Sequence, residues 1–155
     1  MKNIFKLLLA LSALLAFSSC GKPGDDPEES GNIVSEWHLV SVSGLSSVPQ
    51  VYVEFGADLT FDLYQKTGTE ICYHKYEGTY SVAASILSGK YSDGEKWGSD
   101  YKISFDNGKL VLTAQNGSEE VCTYENKALS ETDKAEAILE TKSLEIGRAS
   151  CRERV

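Results

Sequence analysis

The stretch Tyr101–Thr113, YKISFDNGKLVLT, decides the fold. In YKISF (101–105) apolar and polar residues alternate, which is the pattern of a β-strand with one buried and one wet face. KLVLT (109–113) is a second strand-forming run, and Asn107-Gly108 lies between the two. An Asn-Gly pair supplies the positive φ angles that a two-residue hairpin turn needs. The stretch therefore predicts two neighbouring antiparallel strands.

Similar runs continue through residues 33–125. They are IVSEWHLVSV (33–42), VYVEF (51–55), LTFDLYQ (59–65), EICYHKYEGTYSV (70–82), SILSGKYS (85–92) and EEVCTYE (119–125). Turn-forming residues separate them, such as Thr67-Gly68 and Asn116-Gly117. Short connections favour pairing of consecutive strands, and a meander of about eight strands can close on itself and so remove its unpaired edges. We predict an all-β fold, an antiparallel meander closed as a small barrel over 33–125. An open sandwich is the alternative.

Several of these segments also carry a resemblance. In order they are SEWHLVSV (35–42), YVEFGADLTFDLYQ (52–65), YEGTYSV (76–82), LSGKYSDGEKW (87–97) and YKISFDNGKLVLT (101–113). This series resembles the lipocalin-like domain of small bacterial envelope lipoproteins. Where the first lipocalin strand has Gly-x-Trp, this chain has Ser35-Glu36-Trp37. The resemblance implies a calycin-type barrel open at one end, and it implies no particular ligand.

One face of the predicted strands carries bulky apolar residues, which we expect to line the barrel and to contact a ligand. They are Trp37, Leu39, Phe61, Leu63, Tyr80, Tyr101, Ile103 and Phe105. An eight-stranded barrel either holds one small ligand or is filled by its side chains. Trp97, in the polar loop SDGEKWGSD (92–100), is a candidate contact at the mouth, or it folds back onto the barrel end. Trp37 is expected to plug the closed end.

Two functions of different classes follow from this pattern. The first is binding of a small apolar or amphipathic ligand in the barrel or at its mouth. The second is an accessory module that contacts a protein or glycan through its loops, with a filled interior. An enzyme is not expected, because the sequence has no nucleophile elbow, no phosphate loop and no Ser-His-Asp order that can be placed. No cofactor is predicted.

Cysteine and histidine residues raise two further hypotheses. Cys72 and Cys122 form a possible disulfide of an exported protein. They fall on predicted strands that are not neighbours, so two free buried thiols are the alternative. Cys72 and His74 share one strand face and, with His38 and Cys122, could hold zinc. Two-residue spacing is a weak signal, so no metal site is predicted.

An acidic loop offers a second possible metal site. Asp93, Glu95 and Asp100 lie close together in the sequence and could bind calcium or act as an acid pair. A solvated hairpin loop explains the same residues, and it is the interpretation we adopt.

The N-terminus predicts export and anchoring. Residues 1–19 have a basic start and an apolar core, LLLALSALLAF (7–17), too short to span a bilayer and typical of a signal peptide. Ser18-Ser19-Cys20 resembles a lipobox, which implies that Cys20 receives lipid. An ordinary cleaved signal is the alternative. Residues 20–32 are polar and predict a disordered tether. The expected location is the cell envelope, lipid-anchored in the outer membrane, and the acidic residues after Cys20 suggest surface exposure.

The C-terminal part divides into two segments. SETDKAEAILETKSL (130–144) has a capping residue followed by helical spacing and predicts a helix. EIGRASCRERV (145–155) holds every arginine of the chain and resembles one reading frame of a sequencing adapter. We interpret it as an artefact, with a basic tail as the alternative. Residues 20–144 then carry ten lysines, no arginine and 21 acidic residues, a net charge of −11 that disfavours nucleic acid.

Overall fold

The computed structural model describes residues 32–140. The predictions for the signal peptide, for lipidation of Cys20, for the tether up to residue 31 and for the segment 145–155 therefore lie outside the described residues. The last four residues of the predicted helix lie outside them as well.

Within residues 32–140 the chain forms eight consecutive antiparallel strands, then a short helix and a ninth strand. They are β1 (Glu36–Val42), β2 (Gln50–Phe55), β3 (Thr60–Lys66), β4 (His74–Ala83), β5 (Ile86–Tyr91), β6 (Tyr101–Asp106), β7 (Lys109–Ala114), β8 (Val121–Asn126), α1 (Glu131–Glu136) and β9 (Ile138–Leu139). Each of the first eight strands pairs with its neighbour in sequence, and β1 also pairs with β8. The predicted closed barrel is confirmed, and the open sandwich is not the fold.

A bulge in β1 adjusts the strand that closes the barrel. Leu39 lies opposite Tyr124 and Ser41 lies opposite Thr123, so Val40 is an extra residue on the β1 side. A bulge of this kind shifts the alternation of faces by one residue. Trp37 and Leu39 are buried, and the next buried residue is Val42 rather than Ser41.

The seam between β5 and β6 is the shortest pairing of the ring. In the described chain these strands share the pairs Ile86↔Lys102 and Leu87↔Tyr101. Beyond them the 92–100 loop folds back along β5, with an isolated bridge between Lys90 and Lys96. The backbone N–H of Trp97 donates a hydrogen bond to the Gly89 carbonyl at 3.0 Å. The loop therefore completes the wall where β6 departs.

The predicted C-terminal helix is wrong beyond Glu136. Ser130 caps α1 as expected, since its hydroxyl accepts from the Asp133 N–H at 3.1 Å. The chain then becomes extended at Ala137, and β9 pairs in parallel with β4. The Ile138 N–H donates to the Tyr73 carbonyl at 2.8 Å, so the edge of β4 competes successfully with further helix. Among the described residues no helix is long and apolar enough to cross a membrane.

Turn geometry confirms the hairpin that the sequence predicts over residues 101–113. Asn107 and Gly108 have φ angles of 49° and 75° and connect β6 to β7. The turn between β4 and β5 needs the same left-handed backbone but is built from Ala84 and Ser85, with φ angles of 50° and 62°. Both side chains are exposed. Residues with a Cβ are strained in this conformation, so this turn stores strain that the Asn-Gly turn does not.

The double substitution Ala84→Asn and Ser85→Gly should raise the free energy of unfolding by about 1 kcal/mol, because Asn and Gly tolerate positive φ. Urea denaturation of the full chain measures it. The matched control is Gly108→Ala, which should lower stability although no atom lies within 4 Å of the added Cβ. A double variant no more stable than the parent would contradict the assignment of strain to this turn.

Candidate functional site

The barrel interior collects the residues that the sequence assigned to it. Trp37, Leu39 and Phe61 belong to the main hydrophobic cluster, and so do Leu63, Tyr80 and Tyr101. Ile103 and Phe105 are partly buried and pack against the same cluster. The alternation of the strands thus places all eight residues together. Further members that the sequence analysis did not single out include Tyr76, Tyr91, Leu110, Leu112, Cys122 and Tyr124.

Trp37 is held in place by a hydrogen bond from its own ring. Its Nε1–H donates to the Ile33 carbonyl at 2.8 Å, and both residues are buried. The Phe105 ring lies 6.2 Å away, measured between ring centroids. Residues just before β1 therefore pack over Trp37, and its place as a plug of the closed end stays a prediction.

Trp97 does not extend from its loop toward solvent. Its indole lies against Gly89, where an added Cβ would overlap the ring. The ring centroid is 4.9 Å from that of Phe61 and 6.2 Å from that of Tyr101. Gly89 lies between the buried residues Leu87 and Tyr91 on the inner face of β5. Trp97 thus folds back onto the barrel and covers the β5–β6 seam, as the alternative interpretation expected.

Tyrosines bring polar atoms into this aromatic interior. The Tyr80 hydroxyl donates to the Gly56 carbonyl at 2.8 Å, and its ring lies 5.0 Å from Phe55. Tyr91 and Tyr124 lie deeper, and burial raises the pKa of both hydroxyls above the ordinary value. Both therefore stay protonated at physiological pH. They can offer hydrogen bonds, and they carry no charge.

The interior is uncharged. Among residues 32–140 the fully buried polar side chains other than tyrosine are Gln65 and Ser99, and no Lys, Arg, His, Asp or Glu is fully buried. A low-dielectric space without a counter-charge accepts neutral groups far more readily than ions. The inner face of the barrel therefore favours apolar or neutral groups over ions.

A concave feature combines polar residues of the wall with Phe61 and Tyr91 of the main hydrophobic cluster. It is a groove of about 600 Å³, lined by residues of β3, β4, β5 and the loop after β5. These are Thr60, Phe61, Asp62, Glu77, Gly78, Thr79, Lys90, Tyr91, Ser92, Asp93 and Gly94. Lys75 Nζ lies 3.0 Å from Asp62 Oδ2 and 2.7 Å from Glu77 Oε1, so two of its carboxylates are already neutralised. We call this feature the outer groove.

The histidines and cysteines do not come together. His38 Nδ1 lies 3.0 Å from Glu125 Oε1, and its ring stacks on Tyr52. His74 instead lies between two carboxylates near β9, 2.7 Å from Glu140 Oε1 and 3.2 Å from Glu70 Oε1. In the described part of the chain no three His, Cys, Asp or Glu side chains are arranged to hold a metal ion. The hypothetical zinc site is not assembled here.

The possible Cys72–Cys122 disulfide is wrong. Cys72 is a free thiol, half-buried in the loop that precedes β4. Cys122 is fully buried in β8, whose neighbours are β7 and β1. Cys72 lies outside the strands, and β4, which follows it, is not a neighbour of β8, so the two cysteines do not face each other across a pair of strands.

The acidic loop makes ordinary turn contacts. Asp93 Oδ1 accepts a hydrogen bond from the Glu95 N–H at 2.9 Å, and the Asp100 carbonyl accepts from the Ser99 hydroxyl at 2.6 Å. Asp93 also lines the outer groove. These contacts shape the loop that carries Trp97.

A second cluster on the outer wall was not predicted. Tyr52, Tyr64, Tyr73 and Leu129 are buried there, with Ala137 packed against them. Lys134 of α1 lies 2.8 Å from Glu36 Oε1 and 3.2 Å from Glu54 Oε2. Apolar burial and these two ion pairs hold the C-terminal segment against β1 and β2. The outward tyrosines were the available signal, because aromatic residues on the wet face of a strand indicate a covering element.

Gly89→Ala should lower the free energy of unfolding by about 2 kcal/mol, because the methyl group displaces the indole or distorts β5. Tryptophan emission should shift to the red, since Trp97 becomes exposed while Trp37 stays buried. The control is Ser88→Ala on the same strand, which should leave the emission unchanged. An unshifted spectrum for Gly89→Ala would mean that Trp97 does not lie against β5.

Comparison with known proteins identifies the domain. The profile of a family described as a lipocalin-like domain matches residues 33–112. A crystal structure of a mutant of the fluorescent protein UnaG is similar at 15% identity with a TM-score of 0.38, covering 60% of this chain and 94% of that one. A search of curated proteins finds no match.

Proposed function

The chain belongs to the lipocalin-like domain family, and on that premise we propose that it binds one small apolar or amphipathic molecule in its barrel or at the barrel mouth. The observation that carries the proposal is the closed barrel with an apolar, uncharged inner face. Burial of apolar ligand surface against such walls contributes about 25 cal/mol per Å². A closed eight-stranded ring is wide enough for one small ligand where its side chains do not fill it.

The β5–β6 seam is the proposed path of access. Its two register pairs leave the rest of the seam to the 92–100 loop and the Trp97 indole. Displacing one loop costs far less than opening a fully paired strand interface, because fewer ladder hydrogen bonds break. In this proposal Trp97 moves aside with the loop when the ligand enters. Its ring then contacts the ligand together with the rings of Phe61 and Tyr101.

The proposed activity is binding without catalysis. Among the described residues the interior includes several tyrosine hydroxyls, and burial raises the pKa of Tyr91 and of Tyr124. Raised tyrosine pKa values oppose formation of the phenolate that a tyrosine base or nucleophile needs. This chemistry supports a receptor or carrier role.

Anchoring through Cys20 completes the proposal. The support is the lipobox-like Ser18-Ser19-Cys20 after an apolar core of signal-peptide length. The barrel begins at β1, so residues 20–32 separate it from the predicted lipid. We place the protein in the cell envelope, at the outer membrane, with surface exposure as the specific form.

The outer groove favours a second candidate, contact with a glycan or protein through the loops. It offers hydroxyl and charged groups from Thr60, Thr79, Lys90 and Ser92 in a concave surface. Groups of this kind suit a hydroxyl-rich ligand better than an apolar one. This candidate needs no interior ligand, which separates it from the first.

The full chain with Cys20→Ser should take up the hydrocarbon probe diphenylhexatriene with one-to-one saturation, read as an increase of probe fluorescence and quenching of tryptophan. The substitution removes the predicted acylation site, so that acyl chains cannot bind the probe themselves. A matched control is the same chain in 6 M urea. Absence of uptake by the folded chain would reject the interior site and favour the outer groove.

Expressed in a Gram-negative host, the full chain should carry acyl mass at the new N-terminus and fractionate with membranes. Cys20→Ser should abolish both, because the thiol is the acceptor of the diacylglycerol. Cys72→Ser is the control and should remain acylated. An intact mass without lipid on the parent chain would exclude the anchor.

A further inference from the structure

The Tyr91 side chain points into the barrel from the end of β5. It is 5% exposed, and it lies on the same strand face as Leu87 and Gly89. Its ring packs edge-on against Phe61, with centroids 5.8 Å apart, and lies 6.5 Å from Tyr76. The hydroxyl is therefore fixed in direction by packing on the ring that carries it.

That hydroxyl has no hydrogen-bond partner among residues 32–140. Tyr80 provides the contrast, since its hydroxyl reaches the Gly56 carbonyl. A buried polar group without a partner costs about 1–3 kcal/mol, and native proteins keep few of them without a use. In a barrel that binds a ligand, an aimed and unpaired donor is a place for the polar end of that ligand.

The surroundings restrict what the polar end can be. The Tyr91 ring packs against the rings of Phe61 and Tyr76, and Tyr101 lies close enough to interact electrostatically. Asp93, at the loop beyond β5, adds negative potential at this end. No cation is fully buried in the described part of the chain. A ligand carboxylate would lose its hydration here and gain no counter-charge.

We propose that Tyr91 Oη donates a hydrogen bond to an uncharged acceptor on an otherwise apolar ligand, such as an alcohol, ester or ketone oxygen, so that the barrel selects neutral amphipaths over fatty-acid anions. The inference rests on the proposed function and specifies its ligand class. Tyr91 is the specificity-determining residue, and the aromatic walls supply most of the affinity.

The test is displacement of diphenylhexatriene from the full chain with Cys20→Ser at pH 8. The competitors are decane, 1-decanol, methyl decanoate and decanoate, which share one chain length. Decanol and methyl decanoate should displace the probe at about tenfold lower concentration than decanoate, because the anion is desolvated without a partner. Tyr91→Phe should weaken the binding of decanol by about fivefold to tenfold, which is the effect of one lost hydrogen bond. It should leave the binding of decane unchanged.

Tyr64→Phe is the matched control, because Tyr64 is a buried tyrosine of the outer cluster. This substitution should leave the displacement of the probe by every competitor unchanged. If the folded chain takes up no probe, the proposed function fails and this inference fails with it. If the probe binds but Tyr91→Phe leaves decanol binding intact, or decanoate competes as well as decanol, this inference alone is overturned.

Thermal unfolding without ligand gives a second, independent measurement. Tyr91→Phe should melt at or above the temperature of the parent chain, since it removes an unpaired buried hydroxyl. Tyr80→Phe should melt lower, because it removes a hydroxyl that is bonded to Gly56. A Tyr91→Phe chain that melts clearly lower, or does not fold, would mean that the hydroxyl is already satisfied in the free protein, which overturns the inference.

Discussion

The pairing of β1 with β8 is the interaction on which the rest of the structure depends. These strands come from opposite ends of the domain, and the register runs from Trp37↔Asn126 to Val42↔Cys122. Without this pairing both strands would present unpaired N–H and C=O groups, and the apolar face of the sheet would be open to water. Closure turns that face into an interior. Every argument about a ligand starts from this one seam, and the bulge at Val40 adjusts the faces so that Val42 also points inward.

Closing the ring leaves a weak point elsewhere. β4 is long enough to pair with β3 along most of its length, with β5 at one end and with β9 at the other. β5 pairs with β6 at Ile86 and Leu87, and beyond these pairs the 92–100 loop and the Trp97 indole complete the wall. An indole held by packing can move without breaking backbone hydrogen bonds. The short pairing of this seam is the reason that we propose it as the path of access to the barrel.

Sequence periodicity predicted the strands and the interior well, because both follow from local alternation. Tyr101, Ile103 and Phe105 share a face in any strand, whichever partner the strand has. The helix after Ser130 was overextended for the opposite reason: Ile138 bonds to the edge of β4, a partner distant in sequence. The placement of Cys72 on a strand was also wrong, because β4 begins at His74, four residues after the start of the predicted run and two residues after Cys72. The unpaired Tyr91 hydroxyl depends on what surrounds it in three dimensions, and no pattern of residue types contains that information.

Charge separates the two surfaces of this barrel. The chain carries a formal net charge of −8, and among residues 32–140 no Lys, His, Asp or Glu side chain is fully buried, whereas the buried polar groups there are neutral. An acidic exterior repels anions during their approach, and an uncharged interior penalises them on arrival. Both terms have the same sign, so they would reinforce each other against an anionic ligand. A neutral amphipath meets neither barrier. In our proposal its polar end accepts a hydrogen bond from the Tyr91 hydroxyl, which has no partner among the described residues.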